Sequence, residues 1–170
     1  MSDPLLLRAF RFQITLSRSP SAESGSGRRT DKPTGTALGN GAFQECSGLD
    51  IEMDVQNYQE GGRNDGVIQR VGRAKYQNLV LKRGMFYGDS GKVNADLWNW
   101  MQGVVSGIRP VARYDGVIEV MSVGFKVAAT WVFDRGLPAR IRGPEMNAKT
   151  GEIAIEELHI AHEGLRLVLS

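Results

Sequence analysis

Apolar and polar side chains alternate along much of this sequence, and a period of two marks strands. Phe10, Phe12, Ile14 and Leu16 alternate with Arg11, Gln13 and Thr15, which predicts a half-buried first strand. Residues 43–84 hold two further strand-like segments. In the first, Leu49, Ile51, Met53 and Val55 alternate with Asp50, Glu52 and Asp54, giving an apolar row and an acidic row, with an interruption near Ser47-Gly48. The second covers residues 75–82 and ends at Gly84. Between them runs a long polar arm, residues 56–73, with turn signals at Gly61-Gly62 and Asn64-Asp65-Gly66. Such an arm suits contact with another subunit better than it suits a small monomer.

Helical spacing occurs once. Val93, Leu97, Trp100, Met101 and Val104 form one stripe, Asn94 or Ser90 is placed to cap its start, and Gly107 lies just past its end. Strands then resume. Residues 111–114 and 117–121 flank Asp115-Gly116, which reads as a hairpin turn. Phe125, Val127, Ala129, Trp131 and Phe133 alternate over the longest clean strand. Residues 134–136 read as a turn, 137–142 as a strand that Gly143-Pro144 breaks, and 148–151 as another turn. Residues 152–161 and 165–169 complete the chain as strands. The pattern predicts a mainly β protein of about eight strands: an antiparallel β-barrel or sandwich with one flanking α-helix and an extended inter-subunit arm.

The 170 residues suit one domain, 1–170, able to bury roughly 70% of its unfolded surface without disulfide or metal. Residues 17–42 are rich in Ser, Gly, Thr and Pro and read as a long flexible loop. A formal net charge of +2 is too small to imply specific nucleic-acid binding. Local sign is more informative: residues 49–54 are acidic and 63–83 basic, an asymmetry that can steer copies together. A single cysteine, Cys46, excludes an intramolecular disulfide. No apolar run reaches the ~20 residues of a membrane span, and the N-terminal sequence lacks the pattern of a secretory signal.

Candidate chemistry has cheaper structural readings throughout. His159 and His162 are spaced as metal ligands on a helix, but on a strand they point to opposite faces, and no third histidine exists. Residues 88–92 lack the spacing of a phosphate loop and read as a turn before the helix. Cys46 has no base or oxyanion hole placed beside it. Asp50, Glu52 and Asp54 read as one solvated or subunit-facing row rather than a cation site. No catalytic, cofactor-binding or metal residue is assigned, and no cofactor is expected. Trp98, Trp100 and Trp131 read as core anchors, with Trp98 the one most off the main stripe.

Laid out in order, FQECSGLDIEMDV, YQEGG, NDGV, LVLKRG, LWNWM, a W-V-F run, GPEMNA and EIAIEELHIAHEGL resemble the tail tube proteins of contractile phages and the inner-tube proteins of phage-derived contractile injection systems. The resemblance covers about residues 43–165. It implies the tail-tube fold, also that of the Hcp-like tube protein of type VI secretion. It implies hexameric rings that stack into a hollow tube, with strands of neighbours joining into a continuous lumen wall. It also implies a sheath around the tube, a baseplate with its spike hub beneath, and cargo in the lumen. The particle would be assembled in the bacterial cytoplasm as a phage tail or injection system. Tyr58, Glu60, Gly61, Gly62, Asn64, Asp65, Gly66 and Arg70 fall on the arm motif. Asp50, Glu52, Asp54, Lys75 and Gln77 are candidates for a lumen or interface face, since alternation gives two faces without saying which is which. The arm departs from the family at VIQRVGRAKY, and the loop at 17–42 is long for a plain tube subunit, which suits either a loop that faces the sheath or a baseplate-proximal initiator ring. Two other readings remain: a monomeric β-barrel binding a small apolar ligand, and an enzyme, which lacks a coherent acid, base and nucleophile.

Overall fold

A computed structural model describes residues 7–9, 11–20, 37–38, 43–62 and 64–168. Most of the expected loop at 17–42 lies outside them, as do Phe10 and Arg63. Among the described residues there are nine strands and one helix. The strands are β1 (Phe12–Arg18), β2 (Phe43–Ser47), β3 (Ile51–Tyr58), β4 (Ile68–Tyr76), β5 (Leu79–Gly84), β6 (Tyr114–Met121), β7 (Val127–Arg142), β8 (Ile155–Ala161) and β9 (Gly164–Val168). The helix, α1 (Asp96–Val105), lies between β5 and β6. All pairings between these strands are antiparallel.

Seven strands form one sheet in the order β1-β6-β7-β8-β5-β2, with β9 also paired to β7. This sheet folds over on itself because β7 is shared. Its first half pairs with β6 and β9, and residues 137–142 pair with β8. The layer β1-β6-β7-β9 contributes Ile14, Leu16, Ile118, Phe133 and Leu165 to the core; the layer β7-β8-β5-β2 contributes Leu79, Leu81, Leu158 and Ile160. Helix α1 adds Leu97 and Trp100. The interior that a small apolar ligand would need is therefore filled by packed side chains, and the ligand-binding barrel gains no support.

The hairpin expected at Asp115-Gly116 does not form. Residues 114–121 are one continuous strand, with Gly116 opposite Phe133. Asp115 is 2% exposed and accepts hydrogen bonds from the Ser19 hydroxyl and from the backbone N–H of Arg135 at 2.8 Å. Gly116 is required by packing rather than by a turn: a Cβ there would lie 2.0 Å from the Phe133 ring. The turn expected at 134–136 is instead a bulge inside β7, where Arg135 takes a φ of 53° and the register slips between Tyr114 and Gly116. Turn-forming residues thus bend a long strand from one layer to the other, so the two strands read on either side of 134–136 are one. Phe125 lies before β7, in a tight turn closed by its N–H to the Ser122 carbonyl.

Helix α1 follows its stripe: Leu97 and Trp100 are buried, and Gly107 beyond its end takes a φ of 79°. The Asn94 side chain accepts the Asp96 N–H at 3.1 Å, so Asn94 rather than Ser90 serves the start. Trp98 points off the stripe and donates to buried Glu156 at 2.9 Å.

Candidate assembly site

The arm is a two-stranded antiparallel sheet of its own, β3 with β4, separate from the seven-stranded sheet. Half of what reads as a polar arm at 56–73 is therefore strand, residues 56–58 in β3 and 68–73 in β4. The segment read as one strand at 75–82 divides at Gln77-Asn78 into the end of β4 and the start of β5. Eight residues of β3 at about 3.4 Å each make the hairpin roughly 27 Å long.

Its root is tightly built. Gly48 takes a φ of 87°, and a Cβ there would lie 2.1 Å from the Asn78 carbonyl oxygen, so the two chains of the root cross where only glycine fits. His162, in the β8–β9 turn, places one ring nitrogen 3.1 Å from the Gln77 carbonyl and the other 3.1 Å from that of Gly164. Its ring lies between those of Tyr76 and Phe133, at 5.3 and 5.8 Å. Burial pulls its pKa below the ordinary value, against the opposing pull of these carbonyls and of Asp134.

The two faces of the hairpin differ in kind. Paired residues share a face, so Ile51, Met53, Val55, Ala74 and Val71 lie together, while Glu52, Asp54, Tyr58, Lys75, Arg70 and Ile68 lie on the other side. A bulge in β4 between the partners of Met53 and Val55 keeps the apolar row in phase. It includes Gly72, whose absent side chain leaves room for the Asp54 carbonyl, 2.2 Å from where a Cβ would be. Lys75 Nζ stands 3.9 Å from Asp54, and the Arg70 guanidinium lies 4.2 Å from the Tyr58 ring centre. Exposed pairs of this kind contribute roughly 0–1 kcal/mol.

The apolar face has no cover. Ile51 is 52% exposed, Met53 44%, Val55 52% and Val71 80%. An isolated two-stranded hairpin is marginal in water, and a contiguous apolar face is seldom left to solvent unless something packs on it. At the tip, Glu60, Gly61, Gly62, Asn64 and Asp65 line a shallow concavity open to solvent, with Gly62 at a φ of 88°. Of the other candidate residues, Gly66 lies in the tip loop. Asp50 sits in the link from β2 with its N–H on the Gly48 carbonyl, and Gln77 sits in the root under His162. The structure thus brings Glu52, Asp54, Lys75 and Arg70 to one face and leaves Asp50 and Gln77 at the root.

A family model for T4-like virus tail tube protein gp19 matches residues 8–166. The chain belongs to that tail tube family. Solved structures agree on the fold. A chain of the anti-feeding prophage baseplate, 6-fold symmetrised, superposes with a TM-score of 0.71 at 21% identity, over 99% of this chain and 97% of that one. A chain of the sheath-tube complex of an extracellular contractile injection system, in the extended state, gives 0.70 at 19%, over 97% and 93%. A chain of the sheath/tube terminator of such a system gives 0.72 at 19%, over 99% and 100%. No curated protein matches the sequence.

Elsewhere in this tail tube protein, no group of three or more His, Cys, Asp or Glu among the described residues is arranged to hold a metal ion. His159 hydrogen-bonds Glu157 on the outer face of the sheet, and His162 faces the arm root. Cys46 lies on β2 against the core, and burial pushes its thiol up to about 11. Residues 88–92 form a turn closed by the Gly91 N–H on the Gly88 carbonyl. No described helix is long and apolar enough to cross a membrane.

One buried ion pair escaped notice in the sequence. Arg83 and Glu156, both 1% exposed, pair inside the barrel between the rings of Phe43 and Phe86 and beside Trp98. The signal was present: Leu79, Leu81, Arg83 and Glu156, Leu158, Ile160 alternate in phase, which puts both charges on the core face.

Proposed function

We propose that this tail tube protein is one tail-tube domain that builds the inner tube of a contractile phage tail or tail-like injection system. Six copies form a ring, and rings stack within a sheath and on a baseplate and its spike hub. The repeating tube ring and a baseplate-proximal initiator ring would use the same device. The exposed apolar face of the β3–β4 hairpin carries this reading: Ile51, Met53, Val55 and Val71 need a surface that one copy does not supply, and a neighbouring subunit supplies it. The charged face, with Glu52, Asp54, Lys75 and Arg70, then orients the arm against a charged surface of the neighbour. The work is architectural, conducting cargo without a chemical step. Assembly takes place in the bacterial cytoplasm, and the product is part of a particle.

The test is deletion of residues 61–70, alongside Met53→Glu with Val71→Glu, which charges the apolar face and leaves the barrel untouched. Both proteins are expected to fold, by circular dichroism and a cooperative melt, and to form no rings or tubes by electron microscopy. Tubes as abundant as those of the unaltered protein would overturn the role of the arm.

A further inference from the structure

The outer face of the layer β2-β5-β8-β7 carries a charge row that no single segment of the sequence contains. By strand register, Glu45 lies opposite Lys82, Lys82 opposite Glu157, and Glu157 opposite Arg142. The four residues run across four strands with strictly alternating sign. Lys82 Nζ reaches Glu45 at 3.0 Å. The Glu157 carboxyl is held below its ordinary value, first by the hydrogen bond from His159 and then by the charges of Lys82 and Arg142 on either side. Arg142 itself is left with Glu145, three residues on at 2.9 Å, whose side chain is 87% exposed and readily exchanged.

Both ends of the row lie on strand edges. Among the described residues β2 pairs with β5 alone, and residues 140–142 of β7 pair with β8 alone. The layer has four antiparallel strands, so its outermost two run in opposite directions. A rotation that brings the β2 of a second copy beside residues 140–142 of the first therefore makes another antiparallel joint. The row begins with a carboxylate and ends with a guanidinium, so this head-to-tail joint continues the alternation. A twofold joint of β2 against β2 would also be antiparallel, but it brings two carboxylates and no counter-charge to the joint, and when centred on Glu45 it sets like charges directly opposite, which opposes pairing.

We propose that Arg142 of one copy stands opposite Glu45 of the next, and that this contact selects the head-to-tail joint and sets its register. The proposal rests on the reading of the chain as a ring-forming tube subunit and adds which edges meet and what aligns them. In this register Arg140 of one copy faces Ser47 of the next, and a slip of two residues would bring Arg140 to Glu45 instead. Such a ring carries an unbroken alternating charge row on one face of its wall.

Cysteine pairs test the register in a Cys46→Ala background. Within one chain β2 and β7 are separated by three strand spacings, roughly 14 Å, beyond the ~7 Å reach of a disulfide, so any cross-link joins two copies. Glu45→Cys with Arg142→Cys, assembled under mild oxidation so that the disulfide takes the place of the ion pair, is expected to give a ladder of covalent oligomers on a non-reducing gel; Glu45→Cys with Arg140→Cys is expected to stay monomeric. The reverse result overturns the register. Independently, Arg142→Glu is expected to fold and lose its rings, and rings as abundant as in the unaltered protein would overturn the role of charge. If the unaltered protein forms no rings under any condition, the tube reading itself falls. Rings without the Glu45–Arg142 cross-link, in a double-cysteine protein that assembles, overturn only the proposed joint.

Discussion

Gly116→Ala tests the packing argument most directly. A Cβ at this position would stand 2.0, 2.2 and 2.8 Å from three atoms of the Phe133 ring, where ordinary carbon contacts lie at about 3.5–4.0 Å. The ring has little room to retreat. Phe133 is 0% exposed, and the backbone of Gly136 is close enough that a Cβ there would meet the same ring at 2.8 Å. Overpacking a close-packed core costs about 1–3 kcal/mol, and an overlap this deep belongs at the upper end. Replacing a strand glycine by alanine regains roughly 0.5–1 kcal/mol of chain entropy, so the net loss is about 2–2.5 kcal/mol. With a urea slope of about 2 kcal/mol/M, the unfolding midpoint should fall by roughly 1–1.25 M. Phe133→Leu in the Gly116→Ala protein should cost less than Phe133→Leu alone, because it opens the space the methyl needs. Gly124→Ala is the control: nothing lies within 4 Å of its Cβ, and its effect should stay within about 0.5 kcal/mol. A change below about 0.5 kcal/mol for Gly116→Ala would refute the packing role of Gly116.

Three further outcomes follow from buried polar groups. Glu156→Gln leaves the Arg83 guanidinium without its counter-charge inside the barrel and should cost about 3–5 kcal/mol in urea unfolding, whereas Arg83→Met with Glu156→Leu should cost much less. His162 has a depressed pKa in the folded chain, so the unfolded chain takes up its proton first as pH falls. Its contribution is complete above about 6.5 and lost as pH drops through the lower native value, and urea midpoints between pH 5 and 7.5 should lose part of their slope in His162→Gln. With its thiol pushed to about 11 rather than 9.0, Cys46 should be roughly a hundredfold less ionised at pH 8 than an open thiol. Native protein should then react with iodoacetamide on the order of 100 times more slowly than unfolded protein.

Much of the architecture could be read from periodicity. The first strand, the helix stripe, the glycine beyond the helix and the interruption at Gly48 all follow from local spacing, and so does the apolar row of the arm. These are properties of neighbours in sequence, and a period of two or 3.6 reports them directly. The errors cluster where one residue type serves two purposes. Asp115-Gly116 has the chemistry of a turn, yet the glycine is there because a phenylalanine from another strand occupies the volume its side chain would fill. Residues 134–136 likewise have turn chemistry, and the structure uses it to bend β7 between two layers. Alternation alone showed that the arm has an apolar and an acidic face. The pairing of β3 with β4 was needed to show that the basic residues Lys75 and Arg70 join the acidic face, and that nothing covers the other.

By itself the sequence determined the strand-rich class, the helix and the family, because these reside in local order and in motifs kept in register along the chain. Only the tertiary structure decided that Glu45, Lys82, Glu157 and Arg142 form one row. They come from four strands spread over more than a hundred positions, and their alternation in sign exists only across the hydrogen-bonded ladder. Cross-strand register is set by how the apolar faces of all four strands pack together, and no single strand carries that information.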